Sequence, residues 1–168
     1  MTQKRWFHDI DNLYGAFSVK SDHWVAVDIN FKKEMLYVYD SIPSHTTDKQ
    51  IVVACEFLRR VIPPLLNIMV PRNERLESNN MYGVRRVRAN VPLNKNPGDC
   101  GGYAIKYVEC LALGWTFQGL NDENIMAIRE RLAAELFDEV LDTRGPVMTN
   151  PLPRGKAFKL PQLNDNSI

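Results

Sequence analysis

Residues 94–110 read NKNPGDCGGYAIKYVEC, a loop-forming NPGD followed by Cys100, two glycines and a run with helical spacing. Asn96, Pro97 and Gly98 predict a turn, and Asp99 is suited to cap the helix that follows. Cys100 then falls in the first helical turn, where unpaired backbone N–H groups and the helix dipole stabilise an anion. A thiolate is the effective nucleophile, so this position favours reactivity. Gly101 and Gly102 leave room for a substrate backbone, and N–H groups there suit a developing oxyanion. A packing role fits the same residues, because a Gly-Asp-Cys-Gly loop is a weak motif by itself. A nucleophilic cysteine also needs a base and a group that orients it.

Such partners come from a hairpin upstream. The runs HWVAVDINF (23–31) and EMLYVYDS (34–41) are rich in valine, isoleucine and tyrosine, and the polar segment around Asn30, Lys32, Lys33 and Glu34 separates them. With residues 30–33 as the loop, antiparallel pairing sets Val27 opposite Leu36, Val25 opposite Val38 and His23 opposite Asp40. A slip of one residue still leaves His23 and Asp40 at the same open end of the pair. Cys100 is thus expected at a helix N-terminus, with His23 and Asp40 converging on it from adjacent strands.

The rest of the chain reads as supporting structure. Thr47 and Gln50 in TTDKQ have capping-box spacing and start a helix whose apolar stripe is Ile51, Ala54, Cys55, Leu58 and Ile62; Pro63 and Pro64 mark its end. Cys55 on that stripe is a core residue. MYGVRRVRANVPL (81–93) predicts a strand with Arg86 and Arg88 on one face and Arg85 on the other, either a solvated edge or a basic face for an acidic partner. Residues 101–115 predict a buried helix in which Cys110 has apolar neighbours and no activating context. Residues 121–142 predict an amphipathic helix with the stripe Ile125, Ile128, Leu132, Leu136 and Val140. After Thr143, four prolines and aperiodic apolar residues predict an extended or disordered tail over 144–168, leaving 1–143 as the folded domain.

Composition narrows the function classes. Twenty-one Lys and Arg nearly balance twenty Asp and Glu, so the overall field favours neither nucleic acid nor a membrane surface as a partner. The most apolar run, VIPPLLNIMV (61–70), is too short to span a bilayer, and MTQKRWFHDI has no apolar signal core. An intracellular protein, nuclear or cytoplasmic, is expected. Three cysteines without a CxxC pair read as free thiols, and the three histidines lack ligand spacing, so neither a metal site nor a cofactor is expected.

The order His23, Asp40, Cys100, in the settings DHW, VYDS and GDCGGY, resembles the ubiquitin-like protease family, the SENP-type cysteine proteases that process and remove SUMO and related modifiers. Trp6 and LYGAF (13–17) resemble the segment that leads into that family's histidine strand. The resemblance covers roughly residues 6–140 and implies an α+β fold of the papain-like or adenain-like kind, a mainly antiparallel sheet flanked by helices with the nucleophile opening a central helix. It implies Cys100 as nucleophile, His23 as general base and then acid, and Asp40 as the group that orients the imidazole. It further implies that Trp24 lines a narrow channel for the modifier's Gly-Gly tail, a role compatible with sheet packing.

Two departures from the family stand out. Its usual glutamine six residues before the cysteine, an oxyanion donor, is here Asn94, whose amide sits one methylene closer to the backbone. Family domains also usually begin well upstream of Trp6, with a helical part that supplies another channel wall and much of the modifier-binding surface. This chain starts at Met1 without it and reads as a shortened protease, a degenerate copy of the kind found near plant mobile elements, or a fragment. Three functions compete: cleavage after the Gly-Gly of a ubiquitin-like modifier, SUMO-like first; a non-catalytic modifier-binding module; and a Cys acyltransferase, against which stands the lack of any visible acyl-CoA phosphate cradle.

Overall fold

A computed structural model describes residues 4–96 and 98–143, with side chains as far as Val140 in the last helix. The elements run β1 (Asn12–Val19), β2 (His23–Asn30), β3 (Met35–Tyr39), α1 (Asp48–Ala54), α2 (Glu56–Met69), β4 (Gly83–Arg86), α3 (Cys100–Leu113) and α4 (Ile125–Thr143). The sheet order is β1-β2-β3-β4; β1, β2 and β3 pair antiparallel and β4 joins parallel to β3. The expected α+β class with a mainly antiparallel sheet is the observed one. The chain divides into two compact units, Met1–Ile125 and Met126–Ile168, and the candidate site described below lies in the first. In the second, α4 carries Leu136 and Val140 of its expected apolar stripe exposed. The Pro-rich segment 144–168 and Pro97 lie outside the described residues.

The β2–β3 register differs from the expected one by two residues. Val27 faces Val38, Ile29 faces Leu36 and Asn30 pairs with Met35, so the loop is 31–34 and not 30–33. Asn30 stays in the strand because its side chain closes the turn, Oδ1 accepting from the Lys33 N–H at 2.7 Å, while Glu34 takes the left-handed φ of 53°. Phe31 leaves the strand into the core, buried and stacked on Trp6 at 5.4 Å between ring centroids. A two-residue shift preserves which side chains share a face, whereas a one-residue shift exchanges the faces. Continued by one residue, the observed register sets Asp40 opposite Val25, diagonal to His23.

One face of the sheet, carrying Val25, Val27, Ile29, Leu36 and Val38, packs with Ile51, Cys55, Ile62 and Leu66 of the α1–α2 region into the core. The capping box forms as expected: Thr47 Oγ1 accepts from the Gln50 N–H and Gln50 Oε1 from the Thr47 N–H. Two features of this segment depart from expectation. The helix breaks at Cys55 into α1 and α2, and α2 runs through Pro63 and Pro64 to Met69. Pro63 cannot donate to the Arg59 carbonyl. The Tyr82 N–H takes that carbonyl at 3.4 Å, and Arg59 Nε donates to Tyr82 O at 2.6 Å, so a neighbouring strand entry supplies the donor that the helix loses. Pro64 is exposed, on the side where a released carbonyl can be hydrated.

Helix α3 packs across β1 and β2 on the other face, where Tyr39 meets Tyr107 at 6.2 Å between ring centroids. Ala26 and Ala104, both fully buried, keep that helix close to the sheet. Gly114 ends α3 in the left-handed conformation, φ 67°, that lets its N–H turn back to the last carbonyls. No helix among the described residues is long and apolar enough to cross a membrane.

Candidate active site

His23 opens β2, and Asp40 directly follows β3, at the end of the sheet away from the 31–34 turn. Strand alternation turns both to the core-facing side, and His23 Nε2 meets Asp40 Oδ1 at 2.8 Å with their side chains 2% and 0% exposed. With Nε2 committed to the carboxylate, Nδ1 is the ring nitrogen left for proton transfer. The His45 ring lies 5.0 Å from that of His23, between centroids, and tilted to it.

Asp40 is held on both oxygens. Oδ1 also accepts from the Ile42 N–H at 2.9 Å, and Oδ2 accepts from Thr46 Oγ1 at 3.3 Å with Arg86 Nη2 at 3.6 Å. Burial alone would raise this carboxyl; the His23 hydrogen bond, the Ile42 N–H and the charges of His23 and Arg86 outweigh it and hold Asp40 below the ordinary carboxylate range. The Arg86 side chain is 4% exposed and donates to Pro43 O, Thr46 O and Thr46 Oγ1 at 2.8 to 2.9 Å. Neither a solvated edge nor a basic face for an acidic partner describes Arg86, because the 43–46 loop folds over it. Arg88, exposed, pairs with Asp48. Sequence reasoning missed the support that Arg86 and Thr46 give to Asp40. One signal was available: Arg86 alternates with Val84, which packs on the core, and a cation on that face requires partners.

Replacing Arg86 by leucine would strip three acceptors of their donor and leave Asp40 without its nearest guanidinium. The expected loss is about 3 kcal/mol of stability, the scale for breaking a buried charged pair. Urea unfolding measures it, with partial recovery expected in Arg86→Lys; a loss within about 0.5 kcal/mol, the surface-substitution range, would contradict this placement.

Cys100 is the first residue of α3, as the sequence predicts, and is 7% exposed. Asp99 occupies the N-cap position, but with helical backbone angles and no side-chain capping bond; its carbonyl accepts from the Tyr103 N–H. The expected side-chain cap is therefore not formed. A methyl added at Gly101 would stand 3.8 Å from Trp24 Cδ1, so the start of α3 lies beside the residue that follows His23. Trp24 itself is 44% exposed on the α3 side of the sheet. No hydrogen bond joins the Cys100 thiol to His23 among the described residues; the first residues of α3 lie beside Trp24, the residue that follows His23 in β2.

Asn94 is buried on the loop before α3. Its N–H donates to Ser41 O at 2.8 Å, tying it to the residue after Asp40, and its Oδ1 accepts from the Asn96 N–H at 2.9 Å. That bond fixes which end of the amide is oxygen, and the buried Nδ2 has no hydrogen-bond partner. His23, Asp40, Cys100, Trp24 and Asn94 thus belong to segments that meet at one end of the sheet. Such a set offers a thiol at a helix N-terminus, an imidazole oriented by a carboxylate and an uncommitted amide donor.

A family model described as the C-terminal catalytic domain of the Ulp1 protease family matches residues 1–143. The chain belongs to the Ulp1 protease family. Among solved structures it is similar to SUMO protease Ulp1 with its catalytic cysteine oxidised to a sulfenic acid: TM-score 0.57 and 14% identity, covering 79% of this chain and 55% of that one. The sulfonic acid form gives TM-score 0.54 and 14% identity, covering 75% and 52%. A Ulp1-like SUMO protease catalytic domain from Chaetomium thermophilum gives TM-score 0.52 and 22% identity, covering 77% and 46%. The shared fold is that of the papain-like cysteine proteases, and this Ulp1-family chain spans about half the length of the structures it matches. No curated protein matches it.

The other two thiols of this Ulp1-family chain have a packing character. Burial pushes Cys55, fully enclosed in the core, up to about 11, and raises Cys110 as well. Iodoacetamide should therefore alkylate Cys100 first in the folded protein and reach Cys55 and Cys110 only on unfolding. Peptide mapping of a time course checks the order, and equal rates for all three in the folded state would contradict it.

Proposed function

We propose that residues 1–143 form a thiol peptidase and isopeptidase domain that cleaves after the C-terminal Gly-Gly of a ubiquitin-like modifier, SUMO-like in the first instance. The observation that carries this reading is the buried 2.8 Å bond between His23 Nε2 and Asp40 Oδ1 at the end of the sheet where Cys100 opens α3. Membership of the Ulp1 protease family supports the substrate class, and the solved structures similar in fold are named as SUMO proteases.

In this mechanism His23 Nδ1 takes the Cys100 proton, and Asp40 stabilises the resulting imidazolium. Sulfur attacks the carbonyl carbon of the modifier's last glycine. Collapse of the tetrahedral adduct breaks the C–N bond, and His23 returns its proton to the leaving lysine or α-amine. Water, activated by the same imidazole, then hydrolyses the thioester. Asn94 Nδ2, together with N–H groups at the start of α3, donates to the oxyanion in both halves. Trp24, exposed beside Gly101, forms a wall for the Gly-Gly tail, which lacks side chains and so passes where bulkier residues cannot.

The test is turnover of SUMO and ubiquitin carrying a C-terminal fluorogenic amide. Release from SUMO that exceeds release from ubiquitin, and that is abolished in Cys100→Ala, is the expected result. Binding of SUMO without any release would assign the chain to the non-catalytic module instead.

A further inference from the structure

The loop that carries Asn94 is held at four consecutive residues. Tyr107 Oη donates to Pro92 O, Tyr103 Oη approaches Leu93 O at 3.5 Å, the Asn94 N–H bonds Ser41 O, and the Lys95 N–H bonds the Asp122 carboxylate at 3.1 and 3.3 Å. Asp122 also accepts from Tyr103 Oη at 2.8 Å. It therefore joins α3, which begins with Cys100, to the residue immediately after Asn94. Both tyrosines are fully buried, and burial first, then for Tyr103 the bond to Asp122, pushes their hydroxyl pKa values up and keeps them donors.

The fold does not require this arrangement. A loop between β4 and α3 can satisfy its backbone with water. Here a carboxylate from the segment between α3 and α4 bonds a main-chain N–H next to a side chain whose own amide nitrogen is buried and unpartnered. A shorter amide works as a donor only if its backbone is placed closely enough to make up the missing methylene, since donors must lie about 2.7–3.1 Å from the oxyanion.

We infer that Asp122, through Tyr103 Oη and the Lys95 N–H, is a positioning residue that sets Asn94 Nδ2 at the oxyanion site. This inference rests on the reading of Asn94 as oxyanion donor. Asp122→Ala frees the Lys95 N–H and should lower kcat about 10-fold or more with KM nearly unchanged, because misplacing a donor affects the transition state and not substrate binding. Asp122→Asn keeps one carbonyl oxygen for the Lys95 N–H and should recover part of the loss. Tyr103→Phe, which removes only a hydroxyl, should give a smaller decrease of the same kind.

The deciding experiment is a double-mutant cycle on SUMO fluorogenic amide turnover by the full chain, with hydrogen exchange at the Lys95 amide measured in parallel. Wild type should protect the Lys95 amide, Asp122→Ala should lose that protection, and in an Asn94→Ala background Asp122→Ala should lower kcat no further. An equal loss in both backgrounds would make Asp122 merely structural, and unchanged exchange at Lys95 would remove the lock; either overturns the inference. If Asn94→Ala lowers kcat but Asp122→Ala does not, this inference alone fails. If Asn94→Ala itself has no effect, the oxyanion reading fails and takes this inference with it. Should Asp122→Ala not fold, Tyr103→Phe supplies the same cycle.

Discussion

Asp40→Asn should lower kcat toward a modifier substrate by about 1000-fold, within the roughly 100- to 10,000-fold range that positioned proton transfer contributes. The surroundings of Asp40 make asparagine a poor replacement despite its shape. If its oxygen takes the Oδ1 place beside His23 and the Ile42 N–H, its NH₂ faces Thr46 and the Arg86 guanidinium, which is already a donor group. If it flips, the NH₂ faces His23 Nε2 and forces the tautomer that protonates Nδ1, the wrong nitrogen for a base. Either way the imidazolium loses its countercharge, and Arg86 keeps a buried positive charge with less to balance it. Steady-state kinetics measures the effect, and a loss under about 10-fold would take Asp40 out of the reaction, being far below that range.

The same substitution has a pH signature. The folded pKa of Asp40 lies below its unfolded value of about 3.9, so its ionisation favours the folded state above roughly pH 4, and that contribution is lost as pH falls through the folded value. Between pH 5 and pH 2, urea unfolding should therefore show a shallower decline in stability for Asp40→Asn than for the wild type. A steeper decline in the variant would contradict the direction of the shift.

Asn94→Ala should lower kcat about 100- to 1000-fold with KM almost unchanged, as for removal of one oxyanion donor. Nδ2 has no hydrogen bond to lose, so the folding cost is that of freeing the Asn96 N–H from Oδ1, about 1 kcal/mol. Asn94→Gln separates two versions of the role. If the loop already compensates for the shorter side chain, the longer amide overshoots and kcat falls; if Asn94 falls short of the oxyanion, glutamine restores reach and kcat rises. Neither substitution altering turnover of an active enzyme would leave the oxyanion to the backbone N–H groups at Cys100 and its neighbours.

Much of this site was legible because its signals are local. The loop residues before Cys100 and the apolar spacing after it mark the start of α3, Thr47 and Gln50 mark the start of α1, and two β-rich runs around a polar turn bring His23 and Asp40 to one end. Even the two-residue error in register was harmless, since an even shift keeps both side chains on one face. The misreadings have other causes. Pro63 ends a helix when the carbonyl it abandons has no other donor, and the donor here is the Tyr82 N–H, nineteen residues downstream in the chain. Arg86 reads as a surface cation until the 43–46 loop closes on it. Asp99 has a good capping side chain, yet its backbone enters the helical region one residue early. The first two were decided by contacts between distant segments, whose partners the local residue pattern does not name. The hold of Asp122 on the Asn94 loop belongs to the same class.

The proposal that Cys100 is a nucleophile addressed by a Gly-Gly tail is tested most directly by covalent capture. The protein is incubated with SUMO, ubiquitin and other small modifiers, each bearing a C-terminal vinyl sulfone or propargylamide, and the product is read by intact mass and peptide mapping. A single adduct with SUMO, mapped to Cys100, formed faster than with ubiquitin and abolished in both Cys100→Ala and His23→Ala, is the predicted result. No adduct with any modifier, or an adduct that maps to Cys55 or Cys110, would contradict it.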